Sequence, residues 1–187
     1  LGLRKLTLNN MVQDPSVIHE WLSYGLFRAV GVPAPRVGYA YVRVDGVPFG
    51  LYAHIESPDD RALSRWFGEV GQLFEGAYGQ DLRPSDVFAL DQDAGPPDRD
   101  ALAQLAQRTN ELPPELYYAE TAELIDWPQV LRMMATEVFI GHWDGYAPSS
   151  NNYFFHLAGG VLRLLPWGAD QTFDAPLRLH EGGGRIF

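Results

Sequence analysis

From Asp126 onward apolar side chains recur at helical spacing, with Trp127, Val130, Leu131, Met134 and Val138 on one face. Asp126 is placed to accept from the first free N–H groups and Gly141 closes the run, so a buried helix is predicted between them. Beyond it Asp144, Gly145, Pro148, Ser149 and Ser150 form a polar loop of turn residues. Tyr153, Phe154 and Phe155 restart an extended run, Ala158-Gly159-Gly160 turns it, and Val161, Leu162, Leu164 and Leu165 return as far as Pro166. A β-hairpin sets its two ends side by side, so Asn152 at its start and the turn carrying Asp170 just past its end become neighbours.

Upstream, Arg4 to Asn9 alternate as a short strand, with Leu6 and Leu8 on one face and Lys5, Thr7 and Asn9 on the other. Asp14-Pro15 opens a predicted helix with Pro15 at its first position, Ile18, Trp21, Leu22 and Phe27 as its apolar residues, and Gly31 just past its end. Gly38 to Val44 and Phe49 to Glu56 flank Asp45-Gly46, a hairpin signal. The chain is expected to leave this sheet at Glu56-Ser57-Pro58. Asp59 to Phe67 predicts a short helix and Gln72 to Glu75 a short strand, with glycines between them. Tyr78 to Arg99, with Pro84, Pro96, Pro97 and several Asp, reads as an exposed linker. Asp100 to Gln107 predicts a helix leading through Pro113-Pro114 to the one that starts at Asp126. His54 reads as a half-buried strand histidine, because no second His or carboxylate lies at metal-binding spacing.

The 187 residues suit one domain, or two lobes of one fold, of α+β class. No run is long enough to span a membrane. The chain opens on Leu1 without a starting Met, and Gly182-Gly183-Gly184 near the other end lacks the flanking strand and helix of a phosphate loop; both ends read as truncated. A net charge of −10 argues against nucleic acid or anionic membranes as partners, since both need clustered Lys and Arg. The absence of cysteine excludes disulfides, zinc thiolate sites and thiol nucleophiles. Asp86, Asp91, Asp93, Asp98 and Asp100 lack the Gly and terminal Glu of a calcium-binding EF-hand loop and read as a solvated acidic run.

The chemistry concentrates at Asp144, Asn152 and Asp170. Oxygen ligands of this kind suit Mg²⁺ or Mn²⁺, which complete their shell with water and substrate phosphate. In protein kinases a catalytic-loop Asp accepts the substrate hydroxyl, an Asn a few residues later binds metal, and a further Asp also binds metal. The order here is the same, although Asn152 follows Asp144 by eight positions. Strand then helix is also the kinase order for a phosphate-binding Lys and the Glu that orients it, which nominates Lys5 and Glu20, with Arg4 as a rival to Lys5. A competing reading joins His142, Asp144, His156 and Asp170 as a metal-dependent phosphoester hydrolase site. It leaves Asn152 without a role. His142 alone reads as a structural histidine donating to a carbonyl at the helix end, and Trp143 as a core anchor for the loop.

Leu8-Asn9-Asn10, Asp14-Pro15-Ser16, Gly31-Val32-Pro33-Ala34-Pro35-Arg36, Gly50-Leu51-Tyr52, Trp143-Asp144, Asn151-Asn152-Tyr153 and Pro166-Trp167 followed by Asp170 and Phe173 together resemble the CotH family of spore-coat-type atypical protein kinases. The resemblance implies a two-lobed, divergent kinase fold, with 1–56 as a partial small lobe and 57–187 as a partial large lobe. It implies ATP as donor, Mg²⁺ or Mn²⁺, a protein Ser or Thr as acceptor, and a cell-surface or spore-coat setting. Carried onto this chain, it makes Asp144 the hydroxyl-orienting base, Asn152 and Asp170 the metal ligands, Lys5 with Glu20 the phosphate clamp, and Glu56-Ser57-Pro58 the hinge. One departure stands out: the family reads Trp-Asp-x-Asp at the acidic turn, and here Gly168 replaces the first Asp. A kinase-like binding module without transfer is the alternative that this departure favours.

Overall fold

Two antiparallel sheets and the helices around them make up residues 5–173, the part of the chain that the computed structural model describes. In the first sheet β1 (Thr7–Asn9) and β2 (Val37–Val44) both pair with β3 (Val47–Ile55), in the order β1-β3-β2. Asp45 and Gly46 turn β2 into β3 with φ of 50° and 81°, the left-handed pair that a two-residue hairpin requires. Helix α1 (His19–Ala29) follows β1. The sheet's exit is tied down by three contacts: Arg36 and Arg65 each reach Glu56 at 2.7 Å, and the Ser57 hydroxyl lies 2.8 Å from that of Thr7.

The second sheet has the order β5-β4-β6-β7, built from β4 (Gln72–Gly76), β5 (Asp91–Ala94), β6 (Tyr153–Ala158) and β7 (Val161–Pro166). All six residues of β6 are buried because both faces of the sheet are covered. Tyr153, Phe155, Leu157, Leu162 and Leu164 join the main core, with Leu102 and Leu105 of α3 (Asp100–Glu111) and Val130 and Met133 of α5 (Trp127–Phe139). On the opposite face Phe154 and Leu165 pack with Leu73 and with Leu63 of α2 (Asp60–Phe67). The edge of β7 does not stay open: Leu162 exchanges backbone bonds with Leu124 and Asp126, and the Gln129 amide bonds both the N–H and the carbonyl of Leu164.

Three expectations need correction. Helix α1 begins at His19, not at Asp14-Pro15, because the Asp14 carboxylate takes the N–H groups of Ser16, Val17 and His19 in a separate turn. Its buried stripe is Glu20, Ser23, Tyr24 and Phe27, which leaves Ile18 and Trp21 about half exposed. Helix α5 turns Gln129, Val130, Met133, Thr136 and Glu137 inward, while Leu131 and Val138 of the expected face look outward. Both inward stripes carry polar groups that bond to neighbouring backbone or side chains, so apolar spacing alone misplaced them. Residues 78–99 are not merely a linker. They supply β5, and Val87 and Leu90 enter the main core. Helix α4 (Pro114–Thr121) lies in the stretch between α3 and α5. His54 is half-buried on β3, as expected. Arg4 and Gly182-Gly183-Gly184 lie outside the described residues.

Candidate functional site

The loop after α5 is set by a buried carboxylate. Glu137, on the inward stripe, accepts the Tyr146 N–H at 3.1 Å and the Ala147 N–H at 2.7 Å, which caps the short helix α6 (Tyr146–Ser149) and fixes the path of residues 141–147. Burial pushes the Glu137 carboxyl up to about 8, against the pull of those two donors. Gly145 lets the chain pass: a Cβ there would stand 2.7 Å from the His142 ring and 2.8 Å from Glu137 Oε1.

Held by this loop, half-buried Asp144 receives three side-chain amides. Asn151 donates to Oδ1 at 3.0 Å, Asn152 to Oδ2 at 2.9 Å, and Gln171 to Oδ2 at 3.4 Å. Asn152 also donates to the Asp144 carbonyl at 2.9 Å. A carboxylate offers about four lone-pair sites, so one acceptor position remains. Asp144 and Asn152 therefore meet, and the hairpin brings Asn152 against Gly168, at the start of the turn that carries Asp170. The Asn152 N–H groups, however, are given to Asp144. Its Oδ1 faces Gly168 and would lie 2.5 Å from a Cβ built there. Asn152 is itself left-handed, at φ 51°, and Gly168 has φ 50°.

The Asp170 turn is anchored by α1 and β1. His19 Nδ1 donates to the Asp170 carbonyl at 2.9 Å, and the Ser23 and Thr172 hydroxyls lie 2.9 Å apart. Asn9 Nδ2 spans two carboxylates, donating to Glu20 Oε2 at 3.0 Å and to Asp170 Oδ2 at 3.3 Å. Burial first, and the Asp170 charge second, push the Glu20 carboxyl up to about 8. Asn9 and Glu20 border a cleft of ≈ 410 Å³ that also touches Tyr52, Trp167 and Gly168.

Glu20 is thus paired with Asp170 through Asn9, not with Lys5. Lys5 lies 3.3 Å from Asp93 and borders a separate cleft of ≈ 390 Å³ with Arg36, Arg61 and Arg65. The Lys5–Glu20 clamp expected from the order of elements is not formed, because Glu20 faces the turn after β7. Among the described residues no group of three or more His, Asp or Glu side chains is arranged to hold a metal ion. Of the residues expected to hold a cation, Asn152 is bonded to Asp144, and Asp170 shares the Asn9 amide with Glu20.

The histidines do not support a hydrolase. His142 is buried with Nε2 3.3 Å from the Trp167 carbonyl, and its desolvated ring is held in the neutral form. That carbonyl follows β7 and does not belong to the helix end. His156 donates to the Val70 carbonyl at 2.9 Å and stacks on Phe67, on the sheet face packed by α2. Asn9, His19, Asn151, Gln171 and Glu137 were not singled out by sequence reasoning. Asn9 and Asn151 lie within quoted motifs and were accessible from them; Glu137 had no signal beyond its place on a helix.

The sequence matches the family described as CotH kinase protein over residues 1–184. It is 25% identical over 186 residues to inner spore coat protein H of Bacillus subtilis, covering 92% of this chain and 51% of that protein. It is also 25% identical over 199 residues to invasin CotH2 of Rhizopus delemar, covering 90% of this chain and 31% of that protein. A shorter match, 40% identical over 57 residues, joins it to an inner spore coat protein H-like protein of B. subtilis, covering 30% of this chain and 19% of that protein. The chain spans about half the length of the first of these relatives or less of the others.

Proposed function

The chain belongs to the CotH kinase protein family, and from that premise we propose that it is part of an atypical kinase transferring the γ-phosphate of ATP to a protein Ser or Thr. Residues 1–56 act as the small lobe and 57–187 as the large one. The observation that carries this reading is the Asp144 carboxylate, held by three amides beside the Asp170 turn with one acceptor site left over. That site takes the proton of the acceptor hydroxyl as its oxygen bonds the γ-phosphorus and the bond to the ADP oxygen breaks. Asp170 and Glu20 would hold Mg²⁺ or Mn²⁺, and a bound cation supplies charge for the phosphate oxygens. Lys5, with Arg36 and Arg65 beside Glu56 and Ser57, offers positive charge to the nucleotide at the hinge. The names of the Bacillus relatives suggest a spore-coat setting.

Turnover of γ-labelled ATP by the full-length protein, with Mn²⁺ or Mg²⁺, tests the reading. Label transfer that disappears in Asp170→Ala and Asp144→Ala supports it. A binding module is the second reading, favoured by Gly168, which stands where the family pattern has an Asp and against which Asn152 Oδ1 packs. ATP binding without transfer in the wild type would select it.

A further inference from the structure

We propose that the cleft lined by Lys5, Arg36, Arg61 and Arg65 binds a phosphoserine or phosphothreonine side chain of the acceptor protein, left there by an earlier transfer. The proposal rests on the kinase reading for the source of that phosphate, and adds a substrate class to it: an acceptor that already carries phosphate. In a chain of net charge −10, four of the 14 Lys and Arg residues meet at this one cleft of ≈ 390 Å³. Glu56 and Asp59 are the carboxylates among its described lining residues, so four cations face two anions and a surplus of two positive charges remains. A phosphate monoester carries a charge of about −1.5 to −2 near neutral pH, which matches that surplus.

The carboxylates present do not use up the cations. Asp59 caps α2, accepting the Arg61 and Ala62 N–H groups at 3.0 and 3.1 Å. Glu56 takes Arg36 on one oxygen and Arg65 on the other, each at 2.7 Å, and so holds two guanidinium groups side by side. Two guanidinium forks carry more N–H donors than one carboxylate can accept, and their planar geometry suits phosphate oxygens. The Arg65 guanidinium also lies 5.5 Å from the centre of the Trp66 ring, which steadies it. Lys5 meets Asp93 at 3.3 Å in a partly exposed pair, weak enough for a doubly charged anion to displace. A nucleotide bound for transfer sends its γ-phosphate to Asp144, yet neither Asp144, Asn152 nor Asp170 lines this cleft. A phosphate seated in the cleft itself is therefore a second one, and a phosphorylated side chain is what a kinase produces.

The test is fluorescence anisotropy of the full-length protein with a neutral, dye-labelled peptide that carries one phosphoserine, beside the same peptide with plain serine. The phosphopeptide should bind tighter by about ten-fold or more, the scale of one hydrogen bond to a charged group. Equal binding of the two peptides overturns the site. A saturating non-hydrolysable ATP analogue should leave the phosphopeptide bound; competitive displacement overturns the site, because the cations then serve the nucleotide alone. Both measurements use the unsubstituted protein. Arg61→Ala combined with Arg65→Ala should abolish the preference for phosphate, and an unchanged preference in that folded variant overturns the site as well. Label transfer separates this from the kinase reading. Phosphopeptide preferred by wild type, with no label transfer, keeps the phosphate site and removes the kinase as the source of its ligand. Label transfer by wild type, with no preference for the phosphopeptide, does the reverse.

Discussion

Helices α1 and α5 each bury a glutamate, and burial pushes both carboxyls up to about 8. Their surroundings differ. Both Glu137 oxygens accept backbone N–H groups from the loop they organise. Glu20 instead accepts a side-chain amide that it shares with a second carboxylate, Asp170. Backbone donors are fixed by the fold and cannot be exchanged for a ligand; an asparagine amide can turn aside. Equal burial thus leaves one carboxyl locked to backbone donors and the other bonded to a side chain that can exchange.

That contrast can be broken in several ways. The largest effect should come from Asp144, the group that the Glu137 side of the molecule exists to place. Asp144→Ala should lower label transfer by about 10²–10⁴-fold with an unchanged circular dichroism spectrum, and a variant as active as wild type would remove Asp144 from the chemistry. Glu137→Gln should cost about 1–3 kcal/mol in chemical denaturation, because an N–H of the loop then faces an amide nitrogen. Glu20→Gln should cost less than this, and an equal loss would erase the distinction between the two sites. Gly145→Ala should resemble Glu137→Gln in stability, since its new Cβ meets both Glu137 and His142.

Stability against pH sharpens the same point. Folded Glu137 keeps its proton up to about pH 8, whereas the unfolded chain loses it near 4.5. The folded state binds more protons across that window, so stability should fall as pH rises through it and level off above. Removing the group with Glu137→Gln should flatten the slope by up to about 1.4 kcal/mol per pH unit, read from denaturation midpoints between pH 5 and 8.5. The smallest change is expected at Tyr24. Tyr24→Phe removes a buried hydroxyl without a partner and should be neutral, or stabilising by up to about 1 kcal/mol, without nucleotide or cation.

The two hairpins were legible because turn chemistry announces them: Asp45-Gly46 and Gly159-Gly160 all adopt the left-handed backbone that those residues favour. The approach of Asn152 to the turn after β7 followed from one of these hairpins; its bonds to Asp144 did not. The inward faces of α1 and α5 were not legible, since Glu20, Ser23, Gln129, Thr136 and Glu137 break the apolar stripe that a periodicity search follows. Residues 78–99 hid their role for a related reason. Val87 and Leu90 are diluted among Asp and Pro, and β5, Asp-Gln-Asp-Ala, gains its strand from pairing with β4 and not from its own propensity. The Lys5–Glu20 pairing failed because the order of elements does not say which way a helix turns its stripe.

The contact between Asn152 and Gly168 ties any change at one of them to the other. With Asn152 Oδ1 filling the space beside a left-handed Gly168, an Asp placed at 168 has nowhere to put its Cβ until Asn152 moves. Moving Asn152 in turn strips Asp144 of a donor. Asp144, Asn152 and Gly168 thus form one steric and hydrogen-bonded unit, in which a side chain added at 168 is felt at Asp144.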